Sequence, residues 1–162
     1  MTNRIARSAA ALALTLAVAG TAGAQATQTV TFAVNAVNQI AVTGSPSLTI
    51  TTAVAGSAPT SVSDATTAKW SVTTNQTGAK VTASIDLDMP AGLTLSANLV
   101  APSVGTSAGA KALSSTEVDV VTGMTKVVGS NLGITYSLDA TTAAGVVGTS
   151  TRTVTYTVTG GT

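Results

Sequence analysis

Few residues of this chain are of types that do chemistry, and paired acids come first. Asp86 and Asp88 are two positions apart, which places both carboxylates on one face of a strand, beside a turn that contains Pro90. Glu117 and Asp119 repeat that spacing. Calcium needs roughly six to eight oxygen ligands, and the chain has no Asp-x-Asp-x-Asp-Gly loop. We therefore predict no metal site and interpret these acids as solubilising charges on a solvent face.

Nucleophilic and acid–base catalysis lack their usual groups. The chain has no histidine and no cysteine, so the commonest general base and the commonest metal ligand are both missing. A serine activated by lysine is a known alternative, but no local motif places a serine beside a lysine. A glycosidase would need two carboxylates that flank a sugar cleft, and the six acids are scattered. We predict that the protein is not an enzyme and takes no cofactor.

Four aromatic side chains are candidates for core packing or for binding. Phe32, Tyr136 and Tyr156 lie on the apolar faces of predicted strands, which favours packing in the core. Trp70 follows Lys69 at a predicted strand start, and two interpretations stay open for it. We favour packing in the core or between sheets; the alternative is a candidate surface contact for a carbohydrate or a neighbouring subunit.

The chain from Thr27 to Val37, here called the N-terminal segment, has a regular alternation. Its apolar positions Val30, Phe32, Val34 and Ala36 are two residues apart, so they share one side of an extended chain. We predict a strand here and treat those four residues as a candidate assembly strand. Its partner is either the sheet of its own subunit or that of a neighbour. The sequence leaves both open, and we favour the neighbour.

The same period of two continues to the end of the chain, with turns rich in Gly, Pro and Ser. Further predicted strands cover residues 39–43, 48–51, 69–74, 80–87, 93–101, 132–140 and 152–159. The turn at residues 75–78 makes a hairpin of 69–74 and 80–87, whereas 55–68 reads as a loop, with a short edge strand around Thr60–Val62 as the alternative because the loop is long. At most one helical turn is expected, at residues 114–117. We predict an all-β fold, an antiparallel two-sheet sandwich of about seven to nine short strands, immunoglobulin-like or fimbrial-subunit-like.

The first residues are typical of an export signal. Arg4 and Arg7 precede an apolar run of eleven residues at 9–19, and Ala22-Gly23-Ala24 fits a cleavage site. That run is shorter than the roughly 20 residues a membrane-spanning helix needs. We predict a cleaved signal peptide over residues 1–24 and a single domain over 25–162 with no membrane span. The expected location is secreted, at the cell surface or in the periplasm of a bacterium.

Charge is scarce in the predicted mature chain. Without Arg4 and Arg7, the chain has five basic and six acidic residues, which gives a net charge of −1. Threonine (29 residues) and serine (15 residues) take the place of charged side chains. No basic patch is present that would attract nucleic acid. A surface of hydroxyl groups repels its own copies weakly, which favours assembly, although a low-charge monomer is the simpler alternative.

Three features together resemble the small exported β-sandwich subunits of bacterial surfaces, such as spore coat protein U and pilus-type subunits. They are the export signal followed at once by a strand, Leu93-Thr94-Leu95 after Met89-Pro90-Ala91-Gly92, and Arg152-Thr-Val-Thr-Tyr-Thr-Val-Thr after Gly145. The resemblance covers most of the mature chain. It implies polymerisation or surface-layer building, without catalysis and without a cofactor.

Two functional hypotheses follow from these observations. The first is an exported structural protein, a subunit of an extracellular fibre, coat or matrix that assembles by β-strand pairing with itself or with other cell-surface proteins. The alternative is a monomeric adhesion or carbohydrate-binding β-sandwich module that uses Trp70 and the long loops.

Overall fold

The computed structural model describes residues 23–161, and their regular structure is almost entirely antiparallel β. The strands are β1 (Asn38–Thr43), β2 (Val62–Ile85), β3 (Leu93–Leu99), β4 (Thr106–Ser107), β5 (Lys111–Ala112), β6 (Val118–Ala140) and β7 (Val154–Thr159). A single 3-10 turn lies at Thr142–Ala144. The all-β class is thus confirmed, with seven strands. Almost all of the predicted signal peptide, residues 1–22, lies outside the described residues.

Backbone pairing joins the seven strands in one sheet. Its main path runs β1-β2-β6-β3-β5, with β4 added beside β6 and β7 beside β2. The sequence predicts two separate sheets of short strands, whereas two of the strands here are long, 24 residues in β2 and 23 in β6. These two strands pair along most of their length. Strands β1 and β7 pair with β2, strands β3 and β4 pair with β6, and β5 pairs with β3.

The predicted hairpin over residues 69–87 is wrong, because β2 runs through it without reversing. Thr74 pairs with Val127 and Thr77 pairs with Thr125, so the strand keeps the same partner on both sides of the predicted turn. The register shifts repeatedly there, and Gly78 has a φ of 75°. The polar residues with their glycine form bulges, which bend a strand and increase its twist.

Other boundaries differ as well. The predicted loop at 55–68 contains the first part of β2, from Val62 onward. The start of β2 is irregular because the Asp64 carboxylate accepts hydrogen bonds from Thr66 and Thr67. Each of these two residues donates both its backbone N–H and its hydroxyl. These bonds hold the pKa of Asp64 well below its usual range, and the bond from the Thr67 hydroxyl has the largest effect. Residues 48–51 form no strand, and residues 114–117 no helical turn.

The sheet bends far enough to bring its two ends together. Tyr136 on β6 is the pairing partner of Asp64, and Tyr156 on β7 is the partner of Ala83. Along a straight strand those two positions of β2 would be about 60 Å apart. The two tyrosine hydroxyl oxygens nevertheless lie 2.7 Å from each other. Strand β2 must therefore bend strongly between these two positions, while it stays paired with β6.

The core is formed mainly by β2, β3 and β6. Its largest fully buried side chains are Trp70, Val81, Leu99, Val120, Val121, Met124 and Ile134. The Trp70 indole N–H donates to the Val100 carbonyl at 3.1 Å, which satisfies its one polar group inside the core.

The residues from Val34 onward form one compact unit. Residues 23–33 belong to a separate unit, in which the described part contains no helix or strand and every residue is exposed.

Candidate assembly surface

The N-terminal segment belongs to no strand of the sheet in the single chain, so its pairing with a neighbouring subunit stays a prediction. Its large apolar side chains are open to solvent: Val30 is 73% exposed, Phe32 is 89% exposed and Val34 is 84% exposed. Ala36 is exposed too. Packing of Phe32 in the core, expected from the sequence, is therefore wrong. Alternation identified the apolar side of this segment, and the large side chains on that side are exposed.

Asn75 holds the end of the N-terminal segment by three hydrogen bonds. Its side-chain oxygen accepts from the Val37 N–H at 2.8 Å, and its side-chain nitrogen donates to the Asn35 carbonyl at 2.8 Å. Its backbone N–H donates to the Val37 carbonyl at 3.2 Å. The amide of an asparagine side chain has a donor and an acceptor like those of a peptide unit, so it can take the place of one. The sequence pattern did not reveal this role, because the residues around Asn75 are equally typical of a turn.

A large groove lies at the open side of the bent sheet. Its volume is about 1080 Å³. Its apolar lining comes from half-buried side chains of three strands and one turn: Met89, Leu93, Leu95, Leu138, Val154 and Tyr156. Residues 44–53 and 144–153 supply its walls, which are mostly threonine, serine, glycine and alanine. The groove thus has an apolar floor between walls that carry many hydroxyl groups, the apolar side chains of Leu48, Ile50 and Val147, and one charged residue, Arg152.

The two tyrosines meet in this groove. Burial raises the pKa of Tyr136, and the hydrogen bond with Tyr156 partly opposes that rise. Burial also raises the pKa of Tyr156, and the neighbouring Tyr136 adds to it. Both phenols are therefore neutral at physiological pH, and each satisfies the other in a largely apolar setting. Packing of these tyrosines on the inner side of their strands agrees with the expectation from the sequence.

The acids singled out by their spacing have structural partners. The Asp86 carboxylate accepts from the backbone N–H of Thr153 at 3.0 Å, which ties the end of β2 to the start of β7. The Asp88 carboxylate accepts from the Ser115 N–H at 2.6 Å, and this bond lowers its pKa. Among residues 23–161 no group of three or more potential ligands could hold a metal ion. Beyond supplying surface charge, these acids fasten loops.

The second acidic pair also has structural partners. Glu117 accepts from the hydroxyl of Thr82 at 3.1 Å, and Asp119 lies 2.9 Å from the Lys80 ammonium. The two carboxylates thus bond to different side chains of β2 instead of converging on one ligand.

Trp70 is only 1% exposed, so it is not a surface contact in this fold. Of the two interpretations left open by the sequence, packing in the interior is correct. The reason is its register: Trp70 pairs with Val42 on one side and Leu132 on the other, in the centre of the sheet.

Comparison of the chain with protein-family models, with curated proteins and with solved structures gives no match. In residues 23–161 there is no helix of the length and apolar character needed to cross a membrane.

Proposed function

We propose that this protein is an exported structural subunit that assembles into an extracellular fibre, coat or matrix by β-strand pairing through its N-terminal segment. The observation that carries the proposal is the exposure of Val30, Phe32 and Val34 on a segment that belongs to no strand of the sheet. Extended segments with alternate apolar side chains bind by adding a strand to the sheet of a partner.

The exposed side chains offer enough free energy for a specific contact. Full burial of a Val or Phe side chain stabilises by roughly 1.5–3 kcal/mol, so the three together offer roughly 4–9 kcal/mol. A dissociation constant of 1 μM corresponds to about 8 kcal/mol. Backbone hydrogen bonds would add to the apolar term, and the ordering of side chains and the loss of free rotation would reduce it. The apolar term is therefore large enough to contribute to a specific contact, and the affinity depends on the balance of these further terms.

A finer description of the fold belongs to the same proposal. We infer that the strongly bent sheet acts as a two-layer sandwich, in which β2 and β6 pass from one layer to the other at their bulges. The contact between Tyr136 and Tyr156 supports this, since these two residues meet although their pairing partners are far apart along β2. Strands that change layer at bulges are known from sheets packed at large angles.

The scarcity of charge supports assembly as well. The chain has 8% charged residues, against roughly a quarter in ordinary domains. Copies of such a protein repel one another weakly, and few surface lysines are present to protect strand edges from pairing.

Size-exclusion chromatography and negative-stain electron microscopy of the purified protein test the proposal. We expect ordered polymers that grow with concentration. Combined substitution of Val30→Thr, Phe32→Thr and Val34→Thr removes the apolar side chains but keeps strand-forming residues, and should leave a folded monomer. The fluorescence of Trp70, the one tryptophan of the chain, reports that the core is intact.

A matched control changes the opposite side of the same segment, with Thr29→Ser and Thr31→Ser. This variant should assemble like the original protein. A monodisperse monomer at every concentration of the original protein would contradict the proposal, as would unchanged polymers of the triple variant.

The carbohydrate-binding alternative loses its main residue, because Trp70 is buried and cannot stack on a sugar. We therefore do not carry it as a second proposal.

A further inference from the structure

We propose that the groove beside β7 is the acceptor for the N-terminal segment of a second copy of this chain. The inference rests on the proposed assembly and goes further, since it names the surface that receives the segment. The incoming strand would pair with the free edge of β7 and place alternate side chains on the groove floor.

The edge of β7 is open. One edge of this strand pairs with β2, from Lys80 with Thr159 to Ile85 with Val154. No strand among residues 23–161 pairs with its other edge. The strand contains no charged residue, proline or glycine, so it lacks the features that usually protect an edge from pairing.

The groove floor lies next to that edge. Val154 and Tyr156 of β7 line the groove together with Leu93, Leu95 and Leu138 of the facing strands. All five side chains are half-buried, so part of their apolar surface is still open to water. A strand added to β7 would cover this surface with the side chains that point inward.

The N-terminal segment fits this acceptor in charge. It contains no charged residue, and Arg152 is the one charged residue that lines the groove within the described part of the chain. The Arg152 guanidinium already donates to the carbonyls of Thr151 and Asp88, at 2.8 and 3.1 Å. An uncharged apolar strand suits such a groove better than an acidic or basic ligand would.

The two elements also match in length. The apolar positions from Val30 to Ala36 span about 20 Å in an extended chain. Strand β7 has six residues, which extend over a similar distance of about 20 Å. In the single chain, Val30, Phe32 and Val34 are exposed, which leaves them accessible to a second copy.

Disulfide cross-linking tests the acceptor directly, since the chain has no cysteine of its own. One preparation carries Phe32→Cys and a second carries Leu93→Cys, so that any bond between positions 32 and 93 joins two copies. After mixing, assembly and mild oxidation, we expect a cross-linked dimer on a non-reducing gel. Leu93 is half-buried on the groove floor, so its replacement is milder than that of a core residue.

The matched control replaces Phe32→Cys by Thr31→Cys, one residue away on the opposite side of the segment. With Leu93→Cys it should give no cross-link. Polymers that form without a cross-link between positions 32 and 93, or with an equal one from position 31, would overturn the acceptor and leave the proposed function standing. Absence of both polymers and cross-link would overturn the two together.

Maleimide labelling of the Leu93→Cys variant identifies other occupants. In dilute monomer the new thiol should react, and in polymers it should be protected. Protection already present in the monomer would mean that something other than a second copy fills the groove, and the proposal would fail.

Discussion

Several single side chains in this protein form hydrogen bonds with backbone groups that a neighbouring strand would otherwise provide. Asn75 replaces a missing ladder partner for Asn35 and Val37, and Asp86 does the same for Thr153. The two tyrosine hydroxyls satisfy each other by a hydrogen bond. Hydrogen bonds of single side chains, both neutral amides and carboxylates, thus fix the loops and the ends of strands.

The tyrosine pair predicts stability at high pH. A buried phenol whose pKa is raised above the unfolded value of about 10 stabilises the folded state below that pH. This stability is lost as the pH rises further, because the unfolded chain then releases protons that the folded one retains. We expect the ultraviolet absorbance of tyrosinate to appear only together with the loss of Trp70 fluorescence.

The chain has two tyrosines, so the signal comes from this pair alone. Protein unfolded in urea is the control and should titrate near pH 10, at about the ordinary tyrosine pKa. Titration of the folded protein at that same pH, with its fluorescence unchanged, would contradict the burial of the pair.

At the scale of elements, alternation predicted some strands well and others poorly. Strand β7 was predicted at 152–159 and β3 at 93–101, close to their observed bounds, because regular alternation there is bounded by clear turns. The continuity of β2 could not be predicted, since a polar stretch with a glycine suits a bulge as well as a hairpin turn. Only the distant partner β6 decides between the two.

Gly44 directly follows β1, and we predict that its replacement destabilises the fold. Its φ is +87°, and a Cβ there would collide with the carbonyl oxygen of Thr67. Gly44→Ala should therefore destabilise by about 3 kcal/mol, from a left-handed conformation that costs about 1–2 kcal/mol and a clash with backbone. Urea unfolding followed by Trp70 fluorescence measures the loss.

Gly56 provides the matched control. Its φ is +85°, and a Cβ added there would meet nothing within 4 Å, so Gly56→Ala should cost only the conformational part, about 1 kcal/mol. Equal losses for the two variants would show that the close approach at Thr67 contributes nothing.

At the scale of the whole molecule, stability comes from sheet pairing and apolar burial, with little contribution from charge. The sequence predicted the all-β class and the scarcity of charge, and it identified the apolar side of the N-terminal segment. It left open whether Val30 and Phe32 are covered by their own subunit, and in the single chain both are exposed. Alternation shows which side of a strand is apolar, whereas the element that covers that side depends on tertiary contacts.

Salt should therefore affect folding little. The one ion pair among residues 23–161 joins Lys80 and Asp119, which are 43% and 45% exposed. Exposed pairs contribute about 0–1 kcal/mol. We expect the free energy of unfolding in urea to change by less than about 0.5 kcal/mol when NaCl rises from about 0.05 to about 0.5 M. Lys80→Met should have a similarly small effect, and a large loss in either experiment would refute this account.

The pairing of β2 with β6 has a consequence for the order in which the chain is made. Synthesis runs from the N-terminus, so β2 is complete at Ile85 well before the first residue of β6, Val118, exists. The N-terminal segment and β2 are thus both present, with their apolar sides open, while the strand that joins the sheet is still missing. Neighbouring nascent chains could pair through these strands during that interval. A holding factor that shields β2 until Ala140 has emerged would separate folding of the subunit from premature association on the ribosome.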